Sequence, residues 1–236
     1  MKSRNRDEDG PSTPDTGLYP GPDGWLLAPE GAAVHPPERV AVIADVHLGY
    51  EWARATGGDC LPAHSLSETL EQLTRLLARV AIARLIVAGD LVESPRPCRR
   101  TADDVRRLEV WLADRGIDLV ALAGNHDPPR VPPRPATWEV AGWTIGHGHR
   151  PLDAPRTLSG HLHPVLRAGG LTAPCFLVGP RTIVLPAFSP NAAGWNVASG
   201  DVPTSWRDES MRCVAGTGRE LLDFGPLPAL GRRLGI

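Results

Sequence analysis

Residues 40–49 read VAVIADVHLG, an apolar run that gives way at Asp45 and His47 and stops at Gly49, as a buried strand running out into a loop does. Two further segments repeat the form: RLIVAGD at 84–90 and DLVALAGNHD at 118–127 each close an apolar run on polar residues. Between the first two, SLSETLEQLTRLLARV carries Leu66, Leu70, Leu73, Leu76, Leu77 and Val80 at helical spacing, with Ser65 and Glu68 set as a capping box. Between the second and third, TADDVRRLEVWLADRG opens at Thr101, places Val105, Leu108, Trp111 and Leu112 on one face, and ends at Gly116. This alternation predicts a βαβαβ unit whose neighbouring strands run parallel.

Outward from that unit the pattern changes. DPPRVPPRPATW at 127–138 reads as a stiff connecting loop, and beyond it come short strand-like runs divided by Gly and Pro: WEVAGWTIGH, PRTLSGHLHP, CFLVGP and RTIVLPAF. No long helix competes with them, so a β-rich second half is expected to pack on the first sheet. In the other direction, residues 1–22 are rich in Asp, Pro, Gly, Ser and Thr and cannot offset the entropy of ordering, which predicts a disordered tail ahead of one domain over 23–236.

With 42% hydrophobic and 22% charged residues, the composition is that of a globular chain. No apolar run reaches the roughly 18 to 20 residues of a membrane span, which excludes a membrane partner of that kind. The opening MKSRNRDEDGPSTPDTG lacks the apolar stretch of a signal peptide, so a cytoplasmic location is expected. Cys60, Cys98, Cys175 and Cys213 form no Cys-x-x-Cys pair and read as reduced thiols. A net charge of −2 leaves the partner, nucleic acid included, and the oligomeric state open.

The chemistry lies where polar residues fall. Asp45 and His47, then Asp90, then Asn125, His126 and Asp127 each follow the end of a strand-like run, and ligands of open α/β sheets collect at the carboxyl ends of strands. Downstream come GHGH at 146–149 and GHLH at 160–163, so six of the eight histidines lie in these segments. Carboxylate, amide and imidazole donors without thiolate suit manganese, zinc or iron rather than a structural Cys-type zinc site. Asp45, His47, Asp90, Asn125, His147, His161 and His163 are more donors than one ion needs, and two divalent ions sharing Asp90 fit better.

In this order, Asp45-x-His47, Gly89-Asp90, Gly124-Asn125-His126-Asp127, His147-Gly148 and Gly160-His161-x-His163 resemble the calcineurin-like metallophosphoesterase superfamily, over about residues 39–190. DVHLGYE, Leu61-Pro62, GHLHP and LPAFSPNAAGWNV are similar to its ICC-like phosphoesterases, whose bacterial members include ligase-associated DNA-repair phosphoesterases. The resemblance implies a four-layer αββα sandwich of two mixed sheets flanked by helices. It implies one ion on Asp45, His47 and His163, a second on Asn125, His147 and His161, and Asp90 between them, with manganese the first choice and zinc, iron or magnesium the others. Such a pair clamps phosphate oxygens and activates water for in-line attack. His126, free of ligation, is expected to donate a proton or hydrogen bond to the leaving oxygen, held by Asp127.

The chain departs from the superfamily pattern at Glu93, where Asp or Asn is common, and HGH leaves His147 and His149 as rival ligands. Arg96, Arg99, Arg100, Arg106 and Arg107 line up after the second motif, with Arg130, Arg134 and Arg150 further on; a nucleic-acid track and a solvated helix face both fit them. Trp195 and Arg150 are the candidate substrate contacts. The expected activity is metal-dependent phosphodiester hydrolysis, possible DNA-repair proteins being partners. Its rivals are a small-molecule phosphomonoesterase or nucleotide pyrophosphohydrolase, and an interaction module that has lost its chemistry.

Overall fold

In the computed structural model, which describes residues 17–129, 132–199 and 210–235, the three decisive runs lie side by side in one sheet. That sheet has six strands, hydrogen-bonded in chain order: β1 (Tyr19–Pro20), β2 (Leu26–Ala28), β3 (Ala32–His35), β4 (Val40–Ile43), β5 (Arg84–Val87) and β6 (Asp118–Ala121). β1 to β4 pair antiparallel, whereas β4, β5 and β6 are parallel, with Val42 opposite Ile86 and Ile86 opposite Val120. The crossovers carry α1 (Tyr50–Ala55), α2 (Ser65–Arg79) and α3 (Arg99–Ala113).

The uninterrupted apolar character of β4 and β5 has a direct cause, since both faces of these strands are covered. Ala41, Ile43, Leu85 and Val87 pack against Leu73 and Leu76 of α2 and Leu108 and Leu112 of α3. The alternate residues Val40, Val42, Ala44, Ile86 and Ala88 face the second sheet, meeting Trp143, Ile145, Leu158, Phe176 and Ile183. Each fully buried side chain of this size contributes about 1.5 to 3 kcal/mol.

The second sheet has nine strands: β7 (Thr137–Val140), β8 (Trp143–Gly146), β9 (Thr157–Ser159), β10 (Pro164–Ala168), β11 (Leu171–Val178), β12 (Thr182–Val184), β13 (Trp195–Asn196), β14 (Arg212–Gly216) and β15 (Leu221–Pro226). Their order is β13-β10-β11-β12-β9-β8-β7, with β14 on β11 and β15 on β14. On its outer face Leu177, Val184 and Cys213 pack against Leu227 and Leu230, so α4 (Leu230–Leu234) forms a thin fourth layer. Two mixed sheets flanked by helices are thus the architecture that the motif order implied. No helix among the described residues is long and apolar enough to cross a membrane.

One local expectation is corrected. Ser65 is not an N-cap: His64 holds that position, and the Ser65 hydroxyl donates to Glu51 Oε1 at 3.0 Å while accepting from the Gly49 N–H at 3.1 Å. The hydroxyl therefore ties the α1 and α2 entries together instead of closing a capping box with Glu68. The tail expected over 1–22 lies outside the described residues up to 16, and Tyr19 and Pro20 already pair with Leu27 and Leu26.

Candidate metal centre

Beyond Ile43 and Val87 the chain keeps pairing after regular strand geometry ends. Asp45 N–H donates to Gly89 O at 3.3 Å, His47 N–H to Asp90 O at 3.1 Å, and Leu48 N–H to Leu91 O at 3.0 Å. These bonds set Asp45, His47 and Asp90 next to one another. Gly160 N–H donates to His147 O at 3.1 Å, and Ser189 N–H donates to Asp45 O at 3.0 Å, which brings the loops of the second sheet over the same spot. Eight described non-glycine residues have positive φ, and five belong here: Asp45, His47, Asp90, His161 and His163. The left-handed region costs an L-residue roughly 1 to 2 kcal/mol, so this concentration marks backbone strain held in place by its surroundings.

The side chains converge accordingly. His147 Nε2 lies 3.0 Å from Asp45 Oδ1 and 3.2 Å from Asp90 Oδ2, and His163 Nε2 lies 3.1 Å from Asp45 Oδ1. The remaining carboxylate oxygens accept from the backbone: Asp45 Oδ2 from His161 N–H and Asp90 Oδ1 from His126 N–H, both at 2.8 Å. Donor atoms gather in three groups, Asp45/His47/His163, Asp90/His147/His161 and His47/Glu93/His126, each within 4.8 Å. Asp45, Asp90, His47 and His147 are all buried.

These donors suit divalent cations on a specific observation. His47 Nε2 is buried without a hydrogen-bond partner, and the buried His47 Nδ1 and His163 Nε2 face carboxylate oxygens of Glu93 and Asp45, at 2.9 and 3.1 Å, in a geometry that makes no hydrogen bond. A buried imidazole nitrogen left unpaired is costly, and a cation on its lone pair removes the cost. Electrostatics agree. Burial opposes the charge on Asp45, yet the imidazoles of His147 and His163 facing it outweigh burial and hold the carboxyl well below the usual range. Burial likewise opposes the charged form of His147, but its hydrogen bonds to Asp45 and Asp90 raise its pKa to about 9. Without an ion, the charged imidazole of His147 is thus held between the two aspartates.

The other expected residues are placed as follows. Asn125 is exposed on the loop after β6, next to His126. His149 is exposed, its Nδ1 3.0 Å from Nδ1 of the buried His147, so it stands one layer further out. Arg150 is exposed beside it, and Arg130 lies outside the described residues. Trp195 donates its backbone N–H to His163 O at 2.9 Å, but its ring packs against the apolar cluster on the outer face of the second sheet.

Asp127 does not hold the His126 ring. Its carboxylate accepts from Gly124 N–H at 3.0 Å and Val92 N–H at 3.2 Å, and Arg134 Nη1 lies 2.7 Å from it, so its oxygens are committed to shaping the loop. The His126 ring is held by the backbone of Glu93, whose carbonyl oxygen lies 2.7 Å from Nδ1. Glu93 is the residue that sequence reasoning left without a role, its only signal being the departure from Asp or Asn. Its carboxylate also stands 2.9 Å from His47 Nδ1, so one residue steadies two rings. Glu93→Gln is expected to weaken divalent-ion binding by about 10-fold or more, the usual effect of removing a carboxylate behind a ligating imidazole. Calorimetric titration of the ion-free chain measures it.

Residues 38–157, just over half of the chain, match the family model described as calcineurin-like phosphoesterase. The chain is similar to the DNA double-strand break repair protein Mre11 of Methanopyrus kandleri, at 32% identity over 89 residues, which are 38% of this chain; it spans only 19% of that relative's length. Among solved structures it is similar to the Pseudomonas putida nuclease MPE, with a TM-score of 0.65 and 26% identity over 86% of this chain and 98% of that one.

Proposed function

Because the chain belongs to the calcineurin-like phosphoesterase family, we propose that it is a two-metal phosphodiesterase acting on nucleic acid, with manganese as its metal and DNA repair as its setting. The observation that carries this reading is the convergence of buried imidazoles on two carboxylates, with His47 Nε2 left without a hydrogen-bond partner. Its substrate class is supported by two relatives, one a DNA double-strand break repair protein and one a nuclease.

Asp45, His47 and His163 would hold one divalent ion, and Asn125, His147 and His161 the other, with Asp90 between. Bound there, the ions supply Lewis acidity toward phosphate oxygens and activation of water for in-line attack. The protein supplies the rest. Asp90 Oδ1 anchors the His126 backbone N–H, and Glu93 O takes the Nδ1 proton, so His126 Nε2 is the atom left to carry a proton to the leaving oxygen.

The test uses Mn²⁺-loaded protein with bis(p-nitrophenyl) phosphate, p-nitrophenyl phosphate and single-stranded DNA. Cleavage of both diesters, faster than the monoester, is expected; turnover of neither diester, or a preference for the monoester, overturns the reading. His126→Ala is expected to lower kcat on DNA by about 100-fold, the ordinary share of a general acid. On the nitrophenyl diester the loss should be smaller, because its leaving oxygen needs no proton. The ratio of the two losses measures proton donation.

A further inference from the structure

The five arginines from 96 to 107 look alike in sequence, and the structure divides them. Arg106 pairs with Asp103 at 2.6 Å, Arg107 lies 3.9 Å from Asp104, and Arg100 stacks over the Trp52 ring at 4.7 Å. Arg96 and Arg99 are exposed, and among the described residues neither guanidinium has an acidic partner. Both line a groove of about 390 Å³ whose other walls include Val92, Ser94, Pro97, Val105 and Pro128. That volume falls in the range of roughly 300 to 1,000 Å³ usual for small-ligand sites, enough for a nucleotide unit.

The groove is built in part from segments that adjoin the metal centre in the chain. Val92 and Ser94 flank Glu93, and Pro128 follows His126 and Asp127 in the chain. Val92 N–H is bonded to Asp127 Oδ1, so the two segments move as one. Glu93, between Val92 and Ser94, is the residue whose carbonyl oxygen holds the His126 ring, so the groove lies on the His126 side of the centre. Apolar walls with two unpaired guanidiniums at the mouth match a strand of sugars and bases strung on phosphates.

We propose that this groove holds the single strand on the leaving-oxygen side of the scissile phosphate, with Arg96 and Arg99 on the next phosphate along. The assignment rests on the diester reading of the metal centre. It makes Arg96 and Arg99 substrate-binding residues and leaves Arg106 and Arg107, on the same helix as Arg99, outside the track.

The experiment compares full-length wild type, Arg96→Ala/Arg99→Ala and Arg106→Ala/Arg107→Ala for binding of a short fluorescein-labelled single-stranded DNA, by anisotropy in EDTA over a salt series. Loss of two phosphate contacts is expected to weaken binding about 10-fold at low salt and to reduce the log–log salt slope by roughly 1.4. The Arg106/Arg107 variant should bind as wild type does. With Mn²⁺ present, kcat/KM on DNA relative to the nitrophenyl diester should fall about 10-fold, chiefly through KM, in step with the lost binding. Equal weakening in both double variants, or none in Arg96→Ala/Arg99→Ala, overturns the groove. The two readings fail separately. If wild type hydrolyses neither diester but only Arg96→Ala/Arg99→Ala loses DNA affinity, the groove stands and hydrolysis falls. If both diesters are hydrolysed and that variant binds DNA normally, hydrolysis stands and the groove falls.

Discussion

Asp90→Asn is expected to reduce phosphodiesterase kcat/KM by at least about a thousandfold, or roughly 4 kcal/mol of transition-state stabilisation. The substitution is chosen to leave the backbone alone. Asp90 sits at a φ of 50°, a left-handed conformation that Asn tolerates better than most residues. The amide oxygen can still accept the His126 N–H that Asp90 Oδ1 now takes at 2.8 Å. The other terminus then becomes an amide nitrogen, placed where Asp90 Oδ2 faces His147 Nε2 at 3.2 Å. If the proposed pair of ions shares this carboxylate, the substitution presents them with a neutral group carrying N–H donors instead. Metal content, measured by mass spectrometry of the dialysed protein, should fall along with activity, while the circular dichroism spectrum is retained. A variant that keeps a tenth of the activity and its full metal content would remove Asp90 from between the ions.

The sequence made β4, β5 and β6 legible because these strands are covered on both faces, which demands apolar residues at successive positions rather than at alternate ones. Leu66, Leu73 and Leu76 were legible for the same reason, as one buried stripe at helical spacing. The motif order identified the seven candidate donors, but a list of donors carries no distances. Which rings share Asp45, and which sits between Asp45 and Asp90, depends on contacts across more than a hundred positions, such as the 102 separating His147 from Asp45.

The misreadings share a cause. Ser65 satisfies the pattern of a capping box, yet its hydroxyl is taken by Glu51, fourteen positions away. Asp127 is adjacent to His126 in the chain, yet its oxygens are taken by Gly124, Val92 and Arg134. The partner that does hold His126 is a backbone carbonyl, a group every residue possesses and no pattern can announce. Likewise the pattern of the arginine cluster carries no sign that Asp103, Asp104 and Trp52 engage three of its five members.

Gly124→Ala puts the packing of the site to the test without touching a polar atom. A Cβ on Gly124 would fall onto Asp90, against its backbone nitrogen and its Oδ1. A flexible side chain can yield to such an intrusion, whereas a backbone nitrogen cannot. The loop must therefore retreat, stretching the 2.8 Å bond from His126 N–H to Asp90 Oδ1 and the 3.0 Å bond from Gly124 N–H to Asp127 Oδ2. Gly124 does not have positive φ, so alanine carries no conformational penalty there and the defect is steric. Displacement of a catalytic group by about 1 Å costs on the order of 100-fold, and a distorted ligand shell costs about another 10-fold in metal affinity. Together they give an expected loss of about a thousandfold in kcat/KM. Gly116→Ala is the matched control: its φ is 66° and nothing lies within 4 Å of the added methyl. That variant should melt a few degrees lower, from about 1 kcal/mol of backbone strain, and retain its activity. If Gly124→Ala stayed within tenfold of wild type, the loop after β6 would have to be compliant, and the close approach to Asp90 would play no part in assembling the centre.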